Sequence, residues 1–433
     1  MKKLLAVGLL LALVPIATPA QALSNQIITK TISNSAATIS SVNKSALSSL
    51  LFQNPATTKL SCVGFTKLKP TTKEKSAALT KAKSFCSFAK ARVSSLSVTS
   101  TTQTTKITSN VGKVNLVLTV PSYPATALSF DNLDVNWVAR AATSRVLERY
   151  ESKVQSAVAI DYHVGPNVPA AGVTKEKSLI AKASRLWSDV FTKSFTVVLF
   201  SEKDAEWAEQ KRLELGGDLP GGITGYLAKP GAKDQCILGF ASKDKAGNPI
   251  YFNCIHSSGN RYAIANHTAI HEHFHMVQNS LYKPNTLMPL WVNEGAPTFF
   301  GFALGYGSTD RNGRLSEQFY LTSPAFDPFA VGTVDTKRFA TWAKTASNAD
   351  IAKVFELMEA DPENRDVFNQ YGLGAIAAQA LIAFDGIETY LDFIRATNQT
   401  DWKSAFKAQY GLTPAEFYLK LAPYIRALGN KYL

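Results

Sequence analysis

The sequence predicts an α+β protein in two folded parts: a small α/β sandwich, then a larger domain that opens with a mixed sheet and closes in helices. Three observations predict it. Over residues 23–120, short apolar runs of strand period alternate with runs of 3–4 spacing. At Val120-Pro-Ser-Tyr-Pro124 two prolines fix extended backbone and interrupt both patterns. Beyond Gly301 nearly every apolar run has helical spacing. A chain of 433 residues has room for two or three domains with ample core. The boundaries read as 1–22, 23–120, a linker over 121–125, and 126–433.

The first 22 residues carry Lys2 and Lys3, an apolar run from Leu4 to Val14, and the small-x-small site Ala20-Gln21-Ala22. That is the pattern of a secretory signal peptide cut after Ala22. The run is too short to span a bilayer, and no other stretch is long enough. The expectation is an exported chain, secreted or associated with the cell surface or wall, with no transmembrane segment in its mature form. An oxidising compartment permits disulfides. Of the three pairings open to four cysteines, neighbours in sequence pair most simply: Cys62 with Cys86 and Cys236 with Cys254.

In order, Ile27–Ile32 suits a strand, Ala37–Leu51 a helix, Leu60–Thr66 a strand and Lys73–Arg92 a helix, with strands near 95–101 and 112–120. In the second part, helices are expected over Val135–Val154, Ser178–Phe191 and Glu202–Leu215, the last ended by Gly216-Gly217. Phe195–Phe200 reads as a buried strand. Residues 218–262 are rich in Gly and Pro and read as hairpins, two of whose strands Cys236 and Cys254 would cross-link. Further helices are expected over Asp350–Ala360, Gly372–Phe384, Ile387–Thr397, Asp401–Tyr410 and Pro414–Leu428.

Charge is unevenly spread. Residues 23–125 hold 13 Lys and Arg against one acid, Glu74, so the net +13 of the chain resides near its N-terminus. The remainder is close to neutral. A basic first domain suits contact with an anionic cell-envelope surface; a solvated lysine-rich face explains the charge equally well. No interleaving of basic and aromatic residues points to nucleic acid, and none is expected as a partner.

The chemistry concentrates in Asn266–Gln278, NHTAIHEHFHMVQ. Histidines four apart share one helix face, so His271 and His275 can offer two imidazole nitrogens to one metal ion. Glu272 stands beside the first of them, where a general base for water belongs. Eighteen residues separate His275 from Glu294, in WVNEGA. Pro284 and Pro289 break the chain between, so the reading is helix, turn, helix, which can return Glu294 to the metal. Two histidines, a carboxylate and one open position describe a catalytic zinc site. Asn293, next to Glu294, is the candidate outer-shell residue. His273 falls about 200° around the helix from the ligands and is read as a non-ligand. His267, one turn earlier, is surplus to a full shell.

HEHFH followed at this spacing by WVNEGA resembles the gluzincin (peptidase MA-like) zinc metallopeptidases. The later stretch YGLGAIAAQALIAFDG…WKSAFKAQYGLTPAEF is similar to the C-terminal helices of such proteins. The resemblance implies a two-lobed domain, with sheet and active-site helices above and a helical lobe below. It further implies Zn²⁺ held by His271, His275 and Glu294, Glu272 as catalytic base, and a peptide or protein substrate. Clan members hold the oxyanion with a Tyr or His after the ligand Glu; Tyr371 is the candidate, ahead of Tyr306 and Tyr320. They align substrate on an edge strand before the motif helix, here Tyr251–Ile255. Two features depart from named subfamilies. No methionine lies between Met1 and Met276, so the aminopeptidase Gly-x-Met-x-Asn motif is absent, and Thr298 stands where thermolysin-like enzymes place an Asp. The order βαβαββ at the N-terminus, with CVGFT before a helix ending FCSFAK, resembles an OmpA-like domain. The Asp and Arg with which that family grips peptidoglycan peptides are missing; Lys67 and Lys81 or Lys83 fall near their places. Two other functions fit the same residues: a cell-wall or cell-surface binding protein with a structural or relic zinc site, and a zinc hydrolase of non-peptide bonds.

Overall fold

The structure is a computed structural model that describes residues 25–54, 57–93, 96–121, 128–229, 231–236, 238–259, 266–283, 286–307, 316, 338–360 and 370–432. The expected signal peptide, most of the expected linker, Pro284 and Tyr320 lie outside them. The described residues form two compact units: 25–51 with 57–121, and 52–54 with 128–432. Both are mixed α/β, and no helix among the described residues is long and apolar enough to cross a membrane.

The first unit contains β1 (Gln26–Ile32), α1 (Ser41–Gln53), β2 (Lys59–Thr66), α2 (Thr72–Arg92), β3 (Ser97–Thr104) and β4 (Val114–Val120). The sheet order is β1-β4-β2-β3, with β4 antiparallel to both neighbours and β2 parallel to β3. Leu60, Cys62, Leu116 and Leu118 alternate with less buried residues along the two central strands, as a sheet with one covered face requires. Ala78, Ala82, Phe85, Cys86 and Ala89 form the buried stripe of α2. Thr71 and Glu74 close its N-terminus as a reciprocal capping box. The Cys62–Cys86 disulfide joins β2 to α2.

The second unit begins with α3 (Val138–Ser152), β5 (Ile160–Val164), α4 (Ala170–Leu186), β6 (Phe195–Phe200) and α5 (Ala205–Leu215). Short helices α6 (Gly222–Leu227) and α7 (Ala232–Gln235) follow, then the hairpin β7 (Gly239–Lys243) and β8 (Pro249–Cys254). Sheet order is β5-β6-β8-β7; β5, β6 and β8 run parallel and β7 antiparallel at one edge. The sheet is covered on both sides, which explains the unbroken apolar run of β6. Val197, Leu199 and Tyr251 join the main helical core, while Val198, Phe200, Ile250 and Phe252 face a smaller cluster with Ala208, Ile223 and Leu227.

Three expectations need correction here. Residues 218–262 are not hairpins throughout: Gly221 and Gly231, at φ +79° and +75°, each precede a short helix. Cys236 therefore sits at the end of α7 in a left-handed conformation, and its disulfide with Cys254 ties that turn, not a second strand, to β8. Tyr251–Ile255 is not a sheet edge, because β8 pairs on both sides; the edge strands are β5 and β7, and β7 is the one beside β8. The strand β5 and the early start of α4 at Ala170 were not anticipated.

Then come α8 (Thr268–Leu281), α9 (Leu290–Gly305), α10 (Arg338–Thr345), α11 (Asn348–Ala360), α12 (Gln370–Ala396), α13 (Trp402–Tyr410) and α14 (Pro414–Tyr432). The two helices expected over 372–397 are consecutive halves of α12, broken at Gly386 with φ +91°. Arg145 donates to the Ala383 and Phe384 carbonyls that the break exposes. Helices α9 and α12 cross at two glycines. A Cβ on Gly295 would overlap the Gly374 backbone, and one on Gly374 would lie 2.5 Å from the Trp291 carbonyl oxygen. This close crossing sets the start of α12 beside the site.

Candidate metal centre

Helix α8 presents His271 and His275 from successive turns, and α9 returns Glu294 against them. His275 Nε2 lies 3.1 Å from His271 Nε2 and 3.2 Å from Glu294 Oε2, and the third side, from His271 Nε2 to that oxygen, is 3.4 Å. Ligands about 2.0–2.1 Å from a tetrahedral zinc stand about 3.3 Å apart. The triangle therefore has the dimensions of one face of such a shell. His271 and Glu294 are buried and His275 is half-buried.

The outward nitrogens of both rings are committed elsewhere, which frees Nε2. The Thr298 hydroxyl donates to the Glu294 carbonyl at 2.8 Å, so its oxygen can only accept from His271 Nδ1, 3.3 Å away. His275 Nδ1 meets Gln278 Oε1 at 3.0 Å, and the Gln278 amide donates to the Val292 carbonyl at 3.3 Å. Each imidazole thus carries its proton on Nδ1 and a lone pair on Nε2, the tautomer a metal needs. The donor set, two neutral imidazoles and a carboxylate, suits zinc.

Electrostatics favour a cation at the same point. Burial depresses His275, but the Glu294 carboxylate outweighs it and raises the imidazole above its ordinary value. Burial works upward on Glu294 and is outweighed by His275 and His271, which hold the carboxyl well below the usual range. A divalent cation would take over the same attraction.

Glu272 is buried on the flank of α8 that meets β7. Its carboxylate accepts from the Ala241 N–H, and burial raises its pKa above the ordinary carboxylate range. Gly239 makes room for it: a Cβ there would lie 2.6 Å from Thr268 Cγ2 and 3.5 Å from Glu272 Oε1. Tyr371, half-buried in the first turn of α12, places its ring centroid 5.9 Å from that of His271.

The structure thus brings together His271, His275, Glu294, Glu272 and Tyr371. Asn293 is half-buried on α9; the side chains that hydrogen-bond His271 and His275 at Nδ1 are Thr298 and Gln278. His273 points away, with Nε2 3.2 Å from Ser184 Oγ and its ring between Phe191 and Phe195. His267 is buried one turn before His271, ring centroids 4.8 Å apart, and lies outside the triangle. Tyr306 accepts from the Asn266 N–H at 3.3 Å. The orienting pair was missed, although Thr298 is one turn after Glu294 and Gln278 three residues after His275. That spacing was the available signal. No known protein family, curated protein or solved structure matches this chain.

Proposed function

We propose that the second unit is a zinc-dependent metallopeptidase of gluzincin type, two-lobed, with its cleft between β7 and the helices that follow. The observation that carries the reading is the triangle of His271, His275 and Glu294 with Glu272 alongside. Zinc held there would polarise a scissile carbonyl and make water acidic enough to deprotonate near neutral pH. Glu272 takes the proton of the attacking water and returns it to the leaving amine. Its burial beside the triangle suits a group that must hold a proton between the two steps. Tyr371, whose ring centroid lies 5.9 Å from that of His271, would donate to the oxygen on which negative charge develops. Thr298 and Gln278 keep the imidazoles turned toward the metal.

The basic first unit is read as the part that meets an anionic envelope surface. Lys30, Lys44, Lys59, Lys69, Lys73, Lys75 and Lys83 are exposed, and Glu74, the unit's single acid, is paired with Lys67. Both disulfides suit an exported protein.

A digest of a broad peptide library, with and without chelator, tests the enzyme reading. Glu272→Gln should keep zinc but lose at least ~10²-fold in turnover, because the amide cannot accept the water's proton. Chelator-insensitive cleavage, or near-normal cleavage by the Gln variant, would refute it.

A further inference from the structure

Positive charge and exposed apolar side chains gather at one end of the first unit. Strand β2 ends at Thr66 beside Thr104, the last residue of β3, and Gly64 stands opposite Val114, the first residue of β4. Beyond the strands, Thr105 N–H donates to the Thr66 carbonyl, Phe65 N–H to the Lys113 carbonyl and Gly112 N–H to the Phe65 carbonyl, each at 2.9 Å. The loops over 67–71 and 105–113 therefore leave the sheet side by side. They flank one hollow of about 180 Å³, lined by Lys67 from the first loop, Val111 from the second, and Ala77, Ala78 and Lys81 of α2.

Leu68, Ile107 and Val111 stand out from this end, 53%, 59% and 41% exposed. Exposed apolar groups with a polar rim mark a contact surface. The rim over these two loops and the start of α2 is six lysines, Lys67, Lys69, Lys73, Lys75, Lys106 and Lys113, against the one acid Glu74. That acid is already engaged: it accepts from the Thr71 N–H at 2.7 Å and pairs with Lys67 at 2.8 Å. Lys73 and Lys75 flank Glu74 in the first turn of α2, where the helix dipole disfavours cations. Solubility alone gives no reason to place them there; an anion outside the unit does. At the opposite end Lys59 opens β2, Arg92 closes α2, and Ile27 of β1 is exposed beside Thr119.

We propose that this end of the first unit docks on the headgroup region of an anionic lipid bilayer, with Leu68, Ile107 and Val111 entering the interface and the six lysines meeting lipid phosphates. The proposal deepens the anionic-envelope reading and rests on it. The apolar side chains select lipid over a wall polymer. A chain of phosphates or carboxylates offers partners to lysines but nothing to three protruding aliphatic groups, whereas a bilayer interface takes both. Lysine stems can lie along the same apolar surface while their ammonium groups stay at headgroup level. Each lysine near such a surface is worth roughly fivefold in partitioning, and the gain shrinks as salt rises.

The test uses the full exported chain, vesicles of phosphatidylcholine with and without phosphatidylglycerol, and labelled polyphosphate as the polymer arm. Co-sedimentation reads the vesicles and fluorescence anisotropy the polymer. The wild type should bind the anionic vesicles and not the neutral ones. K69Q/K106Q should weaken that binding about 25-fold. K59Q/R92Q removes the same charge from the opposite end and should change it by less than about twofold. L68S/I107S/V111S should lose about tenfold or more on anionic vesicles. It should keep wild-type affinity for polyphosphate, which also shows that the variant is folded. I27S, an apolar loss at the opposite end, should bind vesicles as the wild type does. Equal loss from the two charge pairs, wild-type vesicle binding by the apolar triple variant, or binding to polyphosphate but not to vesicles overturns lipid docking and leaves a charge-only envelope contact standing. A wild type that binds neither vesicles nor polyphosphate refutes the anionic-envelope reading itself.

Discussion

Glu176 should make the second unit less stable as pH rises. It lies buried on α4, where its Oε1 accepts from the Tyr251 hydroxyl and the Asn253 amide, each at 2.6 Å. Burial raises its pKa from 4.5 to about 7, although the two hydrogen bonds pull the other way. A carboxyl with a folded-state pKa above its unfolded one binds its proton more tightly when folded. Its contribution is fully present below about pH 4.5 and is lost as pH rises through about 7. At 1.36 kcal/mol per unit, the loss between roughly pH 5 and 8.5 is about 2–3 kcal/mol. Glu176→Gln keeps an oxygen for Tyr251 and Asn253 and has no proton to release. Urea unfolding followed by tryptophan fluorescence, with chelator present throughout, reads the difference. The wild type should lose about 2–3 kcal/mol relative to the variant on going from the lower pH to the higher. Parallel behaviour of the two proteins, or a wild type that gains on the variant as pH rises, would refute the buried protonated carboxyl.

Two further substitutions probe how the site is held. Thr298→Val keeps the shape of the side chain but removes the acceptor for His271 Nδ1–H; zinc affinity, measured by competition with a chromophoric chelator, should fall about 10–100-fold. An unchanged affinity would mean that Thr298 does not fix the tautomer. Gly374→Ala adds a methyl against the Trp291 carbonyl and should cost about 1–3 kcal/mol and displace Tyr371. If the crossing is looser than it stands, the same change would stabilise α12 by about 0.5–1 kcal/mol, as alanine does in a helix interior.

What could be read in advance was local. The pairing of His271 with His275 follows from helix periodicity and is visible in NHTAIHEHFHMVQ, and the same geometry places His273 on the opposite face. The β6 run FTVVLF shows a doubly covered strand because burial on both faces needs apolar residues at every position. What could not be read depends on partners distant in sequence. Whether β8 or β7 is the edge is decided by which strands find each other, and both are short runs that suit either place. The glycines at 221 and 231 read as hairpin turns, yet positive φ serves equally to start a helix. The approach of Tyr371 depends on Gly295 and Gly374 meeting, and neither glycine announces the other. Thr298 and Gln278 acquire their roles only once α9 lies against α8.

The proposed metallopeptidase activity requires that His271, His275 and Glu294 bind one zinc ion. Metal-stripped protein titrated with zinc, with cleavage of a peptide pool followed at each addition, tests it directly. Hydrolysis should rise from zero and saturate at one equivalent of zinc per chain, and Glu294→Ala should shift the curve to far higher zinc. Hydrolysis that is present before zinc is added, or a protein that takes up no zinc near one equivalent, would contradict it.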